Sequence, residues 1–161
     1  LVEKLPTFLY NNGSFIDTNT EDIIMANVKE LLKAEENGSL SFGDYSLTQK
    51  TKLDEFSFEG DVYKVKTFQE ITRLEKNGGV VYESVPGSAV HGYKETERQI
   101  AFETEAADDL QITLEVEPEK EYKVFVNDTN IGKLKSSLGG KISFSIELDA
   151  GETAKVQVVK L

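Results

Sequence analysis

The chain has 161 residues, enough to bury a hydrophobic core, and it carries 29 acidic side chains against 18 basic ones. A formal net charge of −11 disfavours nucleic acid and anionic membrane surfaces as partners, because Lys and Arg dominate binding to both. The lack of cysteine excludes disulfides and thiolate ligands, and the single histidine, His91, excludes a multi-histidine metal centre within one chain. We therefore expect neither a metal nor a cofactor.

Residues 1–24 fit the remainder of the chain poorly, since they combine a short apolar run with a turn signal and a polar stretch. The only methionine, Met25, follows them and begins a cleaner pattern. Two interpretations remain open for these residues: an upstream extension ahead of a natural start at Met25, or an additional N-terminal strand.

A helix is predicted between Thr20 and Glu36, and in the domain scheme it occupies residues 25–37. Thr20 is a suitable N-cap, and Ile24, Val28 and Leu31 recur at helical spacing on one face. The Asn-Gly pair after Glu36 is a typical helix stop.

Residues 38–97 are predicted to form a first β module. The segment from Leu40 to Leu47 alternates as a short strand or tight hairpin would. The clearest hairpin runs from Phe56 to Phe68 around a Gly-Asp turn, with Tyr63 and Val65 on its apolar face. Another strand ends at Pro86.

Residues 98–161 are predicted to form a second module, resembling a β-sandwich, whose regular part is Leu110 to Leu161. Four runs there alternate between apolar and polar residues, and turn residues separate them. A faint repeat relates the Tyr-Lys-Val at Tyr63 to the one at Tyr122, which suggests either a duplication or chance similarity. The fold class is therefore mainly β: an antiparallel β-sandwich, or two stacked β modules, with one N-terminal helix.

No residue pattern identifies a catalytic centre. A Ser-His-acid triad would have to use His91, but no nucleophile elbow is present. Acidic pairs such as Glu103 and Glu105 share a strand face, which is more typical of a solvated sheet than of a glycosidase. The segment from Val85 to Tyr93 has the most unusual sequence of the chain, and we expect it to be a loop. Loops on a β scaffold often carry binding sites. The predicted binding residues lie in or near it: Arg73, Tyr82, Ser88, His91 and Tyr93.

Several segments resemble a family of short proteins from anaerobic Gram-positive bacteria that are often labelled endosialidases. The resemblance rests on Leu40 to Tyr45, Phe58 to Phe68, Ile71 to Gly78 and Tyr82 to Val90, and it excludes residues 1–24. True endosialidases resemble large phage tailspikes, which a chain of this length cannot contain. None of their catalytic residues maps onto this sequence.

These observations lead us to expect a non-catalytic cytoplasmic binding or interaction protein, with a protein or a glycan as its ligand. The alternatives are a glycan hydrolase of the endosialidase type and a homo-oligomeric structural protein that pairs through an edge strand. A cleft with two facing carboxylates, or an arginine cluster able to bind a sugar carboxylate, would favour the hydrolase.

Overall fold

A computed structural model describes residues 30–161, and every regular element in that range is a β-strand. None of the described segments forms a helix long and apolar enough to cross a membrane. The strands are β1 (Leu32–Ala34), β2 (Leu40–Phe42), β3 (Thr51–Phe58), β4 (Asp61–Phe68), β5 (Ile71–Lys76), β6 (Gly79–Val85), β7 (Ala89–Glu95), β8 (Gln99–Glu105), β9 (Leu110–Glu115), β10 (Glu121–Val126), β11 (Thr129–Lys135), β12 (Lys141–Ile146) and β13 (Thr153–Lys160).

The strands form two antiparallel sheets, which confirms the sandwich prediction. Sheet A has seven strands in the order β1-β2-β7-β8-β13-β10-β11, and sheet B has six in the order β12-β9-β6-β5-β4-β3. Apolar and polar residues alternate along β9 and β12, so every second side chain is buried between the sheets and its neighbours are not. The inner faces share one continuous hydrophobic cluster.

Aromatic rings fill the centre of this core. Three rings come from sheet A: Phe42 on β2, Tyr93 on β7 and Phe102 on β8. The fourth, Tyr82, comes from β6 in sheet B. The centroids of neighbouring rings lie 5.2–6.4 Å apart. Most pairs meet edge to face, the arrangement that aromatic quadrupoles favour. The rings tie the two sheets together at the middle of the sandwich.

The two sequence modules contribute strands to both sheets. β6 pairs with β9, and β7 pairs with β8, so the boundary near residue 97 falls inside continuous sheets. The faint repeat has no topological counterpart. β4, β5 and β6 are successive neighbours in sheet B, whereas β10 and β11 lie in sheet A and β12 in sheet B.

The predicted helix is wrong over the residues that the structure describes, and its earlier part lies outside them. Leu32–Ala34 form β1, which pairs with β2 and places Leu32 opposite Phe42. Leu32 is buried, whereas the two residues after it are exposed. Pairing with β2 therefore outweighs a weak local helix preference. The Asn-Gly signal does mark a turn, with Gly38 at φ +84°, but the turn joins two strands.

The expected loop from Val85 to Tyr93 is also wrong, because Ala89–Glu95 form strand β7. Only a short link remains between β6 and β7, and it contains the cis Val85–Pro86 peptide. An irregularity between His91 and Lys94 interrupts the pairing with β8, which accounts for the irregular sequence pattern. Strand β11 was missed, because its residues are mostly exposed and lack clear alternation.

Candidate functional site

Three of the predicted binding residues lie inside the core. The side chains of Tyr82, Ser88 and Tyr93 are 0%, 0% and 5% exposed. The Tyr82 hydroxyl lies 2.9 Å from Ser88 Oγ, which lies 2.7 Å from Ser84 Oγ. This trio satisfies buried hydroxyls where β6 turns into β7, so it supports the fold and does not reach a surface ligand.

His91 lies on the outer face of sheet A, beside a shallow depression of about 380 Å³ that we call the His91 groove. Gly92, which has no side chain, and Ala101, which has only a methyl group, line this depression and leave room for it on the sheet surface. His91, Glu103 and Lys155 stand in cross-strand register on β7, β8 and β13. Lys155 also pairs with Asp128, with Nζ 3.1 Å from Oδ1.

A carboxylate lies under the neighbouring surface. Glu105 has an Oε1 atom 4.0 Å from His91 Nε2, and its Oε2 accepts a 3.4 Å hydrogen bond from the Tyr45 hydroxyl. Burial raises the pKa of the Glu105 carboxyl, and both His91 and the Tyr45 hydrogen bond oppose that rise. The site therefore contains a carboxyl whose protonated form is favoured more than in water.

Arg73 lies on the opposite side of the molecule, on the outer face of sheet B. There Lys52 of β3 is directly opposite Lys66 of β4, and Lys66 is directly opposite Arg73 of β5. We call these three residues the cationic row. The inward neighbours Val65, Thr67, Thr72 and Leu74 are all fully buried, so the three cations face solvent from one side of the sheet.

The cationic row is electrostatically unfavourable by itself. Like charges directly opposite one another destabilise a sheet. The pKa of Lys66 is lowered first by burial and then by the neighbouring charges of Arg73, Lys50, Lys52 and Lys64. The row therefore carries charge repulsion in a chain that is acidic as a whole.

One acid lies in register with the row. Glu83 of β6 is opposite Arg73, and its Oε2 accepts a 3.0 Å hydrogen bond from an Arg73 terminal nitrogen. The Arg73 Nε is buried and has no hydrogen-bond partner within residues 30–161. One N–H of the guanidinium is thus left without an acceptor, although buried donors are normally paired.

A third feature is a cavity of about 370 Å³ at one end of the sandwich, between the β7–β8 turn and the β9–β10 loop. Glu95, Glu97, Glu115 and Glu117 contribute acidic groups, and Arg98 contributes the one arginine. A hydrogen bond from Lys160, together with its charge, lowers the pKa of Glu117. This ion pair offsets the charge of one of the four glutamates, and the lining of the cavity remains mainly acidic.

The predicted set therefore does not form one site. Arg73 and His91 lie on opposite outer faces, and the other three residues lie between them in the core. Lys52 and Lys66 were missed, although the hairpin offered a signal. With Phe68 opposite Ile71 across the β4–β5 turn, Lys66 must stand opposite Arg73. No group of three or more potential metal ligands occurs among the described residues.

Comparisons of the chain with protein-family models, with curated proteins and with solved structures find no significant match.

Proposed function

We propose that the protein is a non-catalytic binding protein whose cationic row recognises acidic glycans. The single observation that carries the proposal is the register of Lys52, Lys66 and Arg73. Three cations directly opposite one another on adjacent strands cost stability, and a bound anion would remove that cost. Sites that bind ligands often retain local features that are unfavourable to the fold itself.

The geometry suits a carboxylated or sulfated sugar chain. Neighbouring strands are about 4.8 Å apart, so the row spans about 10 Å, roughly two sugar units of an extended chain. Arg73 can bind a carboxylate through its planar guanidinium, whereas the two lysines act as point charges. The net charge of −11 repels a long, dense polyanion such as nucleic acid, but a short acidic glycan needs only the local row.

The proposal is tested by an array of sialylated, sulfated and neutral glycans, followed by calorimetry on the strongest ligand. Lys66→Gln is expected to weaken binding about tenfold, because a charge-assisted contact contributes roughly 1.5 kcal/mol. The same variant should unfold at equal or higher urea concentration, because it relieves repulsion within the row. Lys33→Gln, at an exposed lysine of β1 in sheet A that stands opposite Ser41, is the matched control and should change neither quantity.

Two results would overturn this proposal. One is binding restricted to neutral glycans, or no binding at all. The other is a Lys66→Gln variant that loses stability while its affinity stays at that of the parent protein, since the row would then be structural.

A second candidate function, glycan hydrolysis, is favoured by the raised pKa of Glu105 beside the His91 groove. Glu103 and Glu105 lie two residues apart on β8, and their side chains point to the same face. Glycosidases use two carboxyl groups together, and the proton donor has a raised pKa. The two carboxyls stand side by side on one strand, however, and the groove next to them is a shallow depression.

Release of reducing ends from a sialylated oligosaccharide separates the two functions. Turnover that disappears in Glu105→Gln and persists in Lys66→Gln would establish hydrolysis on sheet A. An inactive parent protein that still binds the glycan through Lys66 would leave the binding function alone.

A further inference from the structure

Among the strands of residues 30–161 four lie at sheet edges, and three of these carry features that discourage pairing with another chain. β1 has only three residues, and it contacts β3 at the same side of the sandwich. β3 has an irregularity between Leu53 and Phe56, and β11 has one opposite Val124 and Phe125. β12 is different: its register with β9 is regular along all six residues.

The main chain of β12 is free along its open edge at Ser143 and Ser145 but not at Lys141, whose N–H and C=O groups both bond to Ser137. Gly140 O accepts a hydrogen bond from Val116 N on the β9 side, whereas Lys141 O accepts one from Ser137 N on the other side. The main-chain N–H and C=O groups of successive residues point to opposite sides of a strand. Those of the odd-numbered residues of β12 therefore point away from β9. Ser143 and Ser145 therefore direct their N–H and C=O groups outward, at positions where no described strand lies.

The sequence of this edge is symmetric in a way that fits a two-fold axis. Lys141 to Glu147 reads Lys-Ile-Ser-Phe-Ser-Ile-Glu, which is palindromic apart from its ends, and the ends have opposite charge. We propose that the protein forms a homodimer in which β12 pairs antiparallel with β12 of a second copy about Phe144. This register places Ser143 opposite Ser145, Ile142 opposite Ile146, and Lys141 opposite Glu147 of the second copy.

Each of these pairs is favourable. The two Ser143–Ser145 positions direct main-chain groups at each other and can form four hydrogen bonds. The apolar residues extend the inner face of sheet B, and Phe144 meets its own copy on the axis. Two Lys141–Glu147 ion pairs close the ends. In the single chain Lys141 Nζ donates to Val80 O of β6 at 2.6 Å, on the far side of β9, so the Lys141 side chain leaves Val80 and turns to the open edge when it pairs with Glu147 of the second copy.

The experiment is sedimentation velocity of the full chain over a wide range of protein concentration, with charge-swapped variants. Glu147→Lys and Lys141→Glu should each weaken the dimerisation constant about tenfold or more, because each places like charges opposite one another. A mixture of these two variants should form a heterodimer, and the double variant should again form a homodimer. Glu70→Lys, an exposed change of the same charge far from β12, is the control.

Ser145→Pro provides an independent test. Its missing N–H points to the open edge, so the main-chain bonds between β12 and β9 are kept and the pairing with a second copy is blocked. Far-UV circular dichroism checks that the variant is folded. The proposal is overturned if the parent chain stays monomeric at every concentration. It is equally overturned if the two charge variants dimerise as the parent does, or if their mixture forms no heterodimer.

Discussion

Two buried tyrosines in the aromatic cluster differ in what their hydroxyl groups contact. The Tyr82 hydroxyl lies 2.9 Å from Ser88 Oγ, whereas the Tyr93 hydroxyl has no partner within residues 30–161. We expect Tyr82→Phe to lower the free energy of unfolding by about 1–2 kcal/mol, because it leaves a buried serine short of a partner. Tyr93→Phe should leave that free energy unchanged or raise it, because an unpaired buried hydroxyl is removed.

Urea unfolding followed by circular dichroism measures both tyrosine variants under one condition. The two substitutions remove the same atom, so their difference isolates the hydrogen bond from the loss of a hydroxyl. Equal losses of stability in the two variants would contradict the assignment of an unpaired hydroxyl to Tyr93.

Glu105 should make stability depend on pH. Burial raises its pKa, so the folded protein binds this proton more tightly than the unfolded chain does. The ionised carboxyl therefore costs stability at neutral pH, and the cost disappears as the pH falls through the raised pKa towards about 4, the ordinary range of a glutamate. Glu105→Gln should be more stable than the parent at pH 7, with the gap closing on acidification.

Thermal unfolding of both proteins at several pH values tests this expectation. The His91–Glu105 pair acts in the opposite direction, because it favours the ionised carboxyl. A parent protein that is the more stable of the two at pH 7 would mean that this pair outweighs the burial of the carboxyl.

At the scale of the elements, Gly43 allows β2 to pass close to β7. Its φ is +98°, and a Cβ added there would lie 2.4 Å from Ser88 O. Gly60, in the β3–β4 turn, has a similar φ of +86° but nothing within 4 Å of an added Cβ. We expect Gly60→Ala to cost about 1 kcal/mol through backbone strain alone, and Gly43→Ala to cost about 2–4 kcal/mol.

Chemical denaturation of these two alanine variants separates strain from steric conflict. The two glycines have similar φ values, so backbone strain costs about the same in both variants. The difference between their free energies of unfolding therefore reports the contact with Ser88. Equal costs for the two variants would contradict a close approach at Gly43.

The elements that the sequence predicted correctly are those whose pattern is local. The hairpin around Gly60 and the alternating strands β9, β10, β12 and β13 follow from turn residues and a period of two. The errors concern segments whose structure depends on distant partners. Leu32 pairs with Phe42 of β2 and is buried regardless of its helix-like spacing, and β11 is an exposed edge held by β10.

The candidate site was predicted less well for the same reason. Tyr82 and Ser88 were selected from an unusual sequence segment, but that segment is unusual because it packs a polar trio inside the core. The cationic row needs three strands in register, and the β3–β4 irregularity shifts Lys52 into line with Lys66. Residue type alone does not reveal such a shift.

At the scale of the whole molecule, the two proposals occupy opposite edges of sheet B. The cationic row starts at β3, and the self-pairing edge is β12. Dimerisation would join the two sheets B into one, with both cationic rows on the same outer face. A single acidic glycan should therefore bind Glu147→Lys as tightly as it binds the parent, which keeps the tests of binding and of dimerisation separate.

The two sequence modules should behave as one folding unit. β8 and β9 each pair with a strand from the first module, and the Phe102 ring packs at 5.5 Å from Tyr82 and 5.9 Å from Tyr93. A fragment of residues 98–161 keeps its alternating pattern but exposes the edges of β8 and β9 together with part of the aromatic cluster. We therefore expect the fragment to be unfolded in far-UV circular dichroism. In the full chain, tyrosine fluorescence and circular dichroism should both report a single unfolding transition at the same denaturant concentration. A fragment with a sharp unfolding transition of its own, or two separate transitions in the full chain, would instead mean that the strand pairs between the modules contribute little to stability.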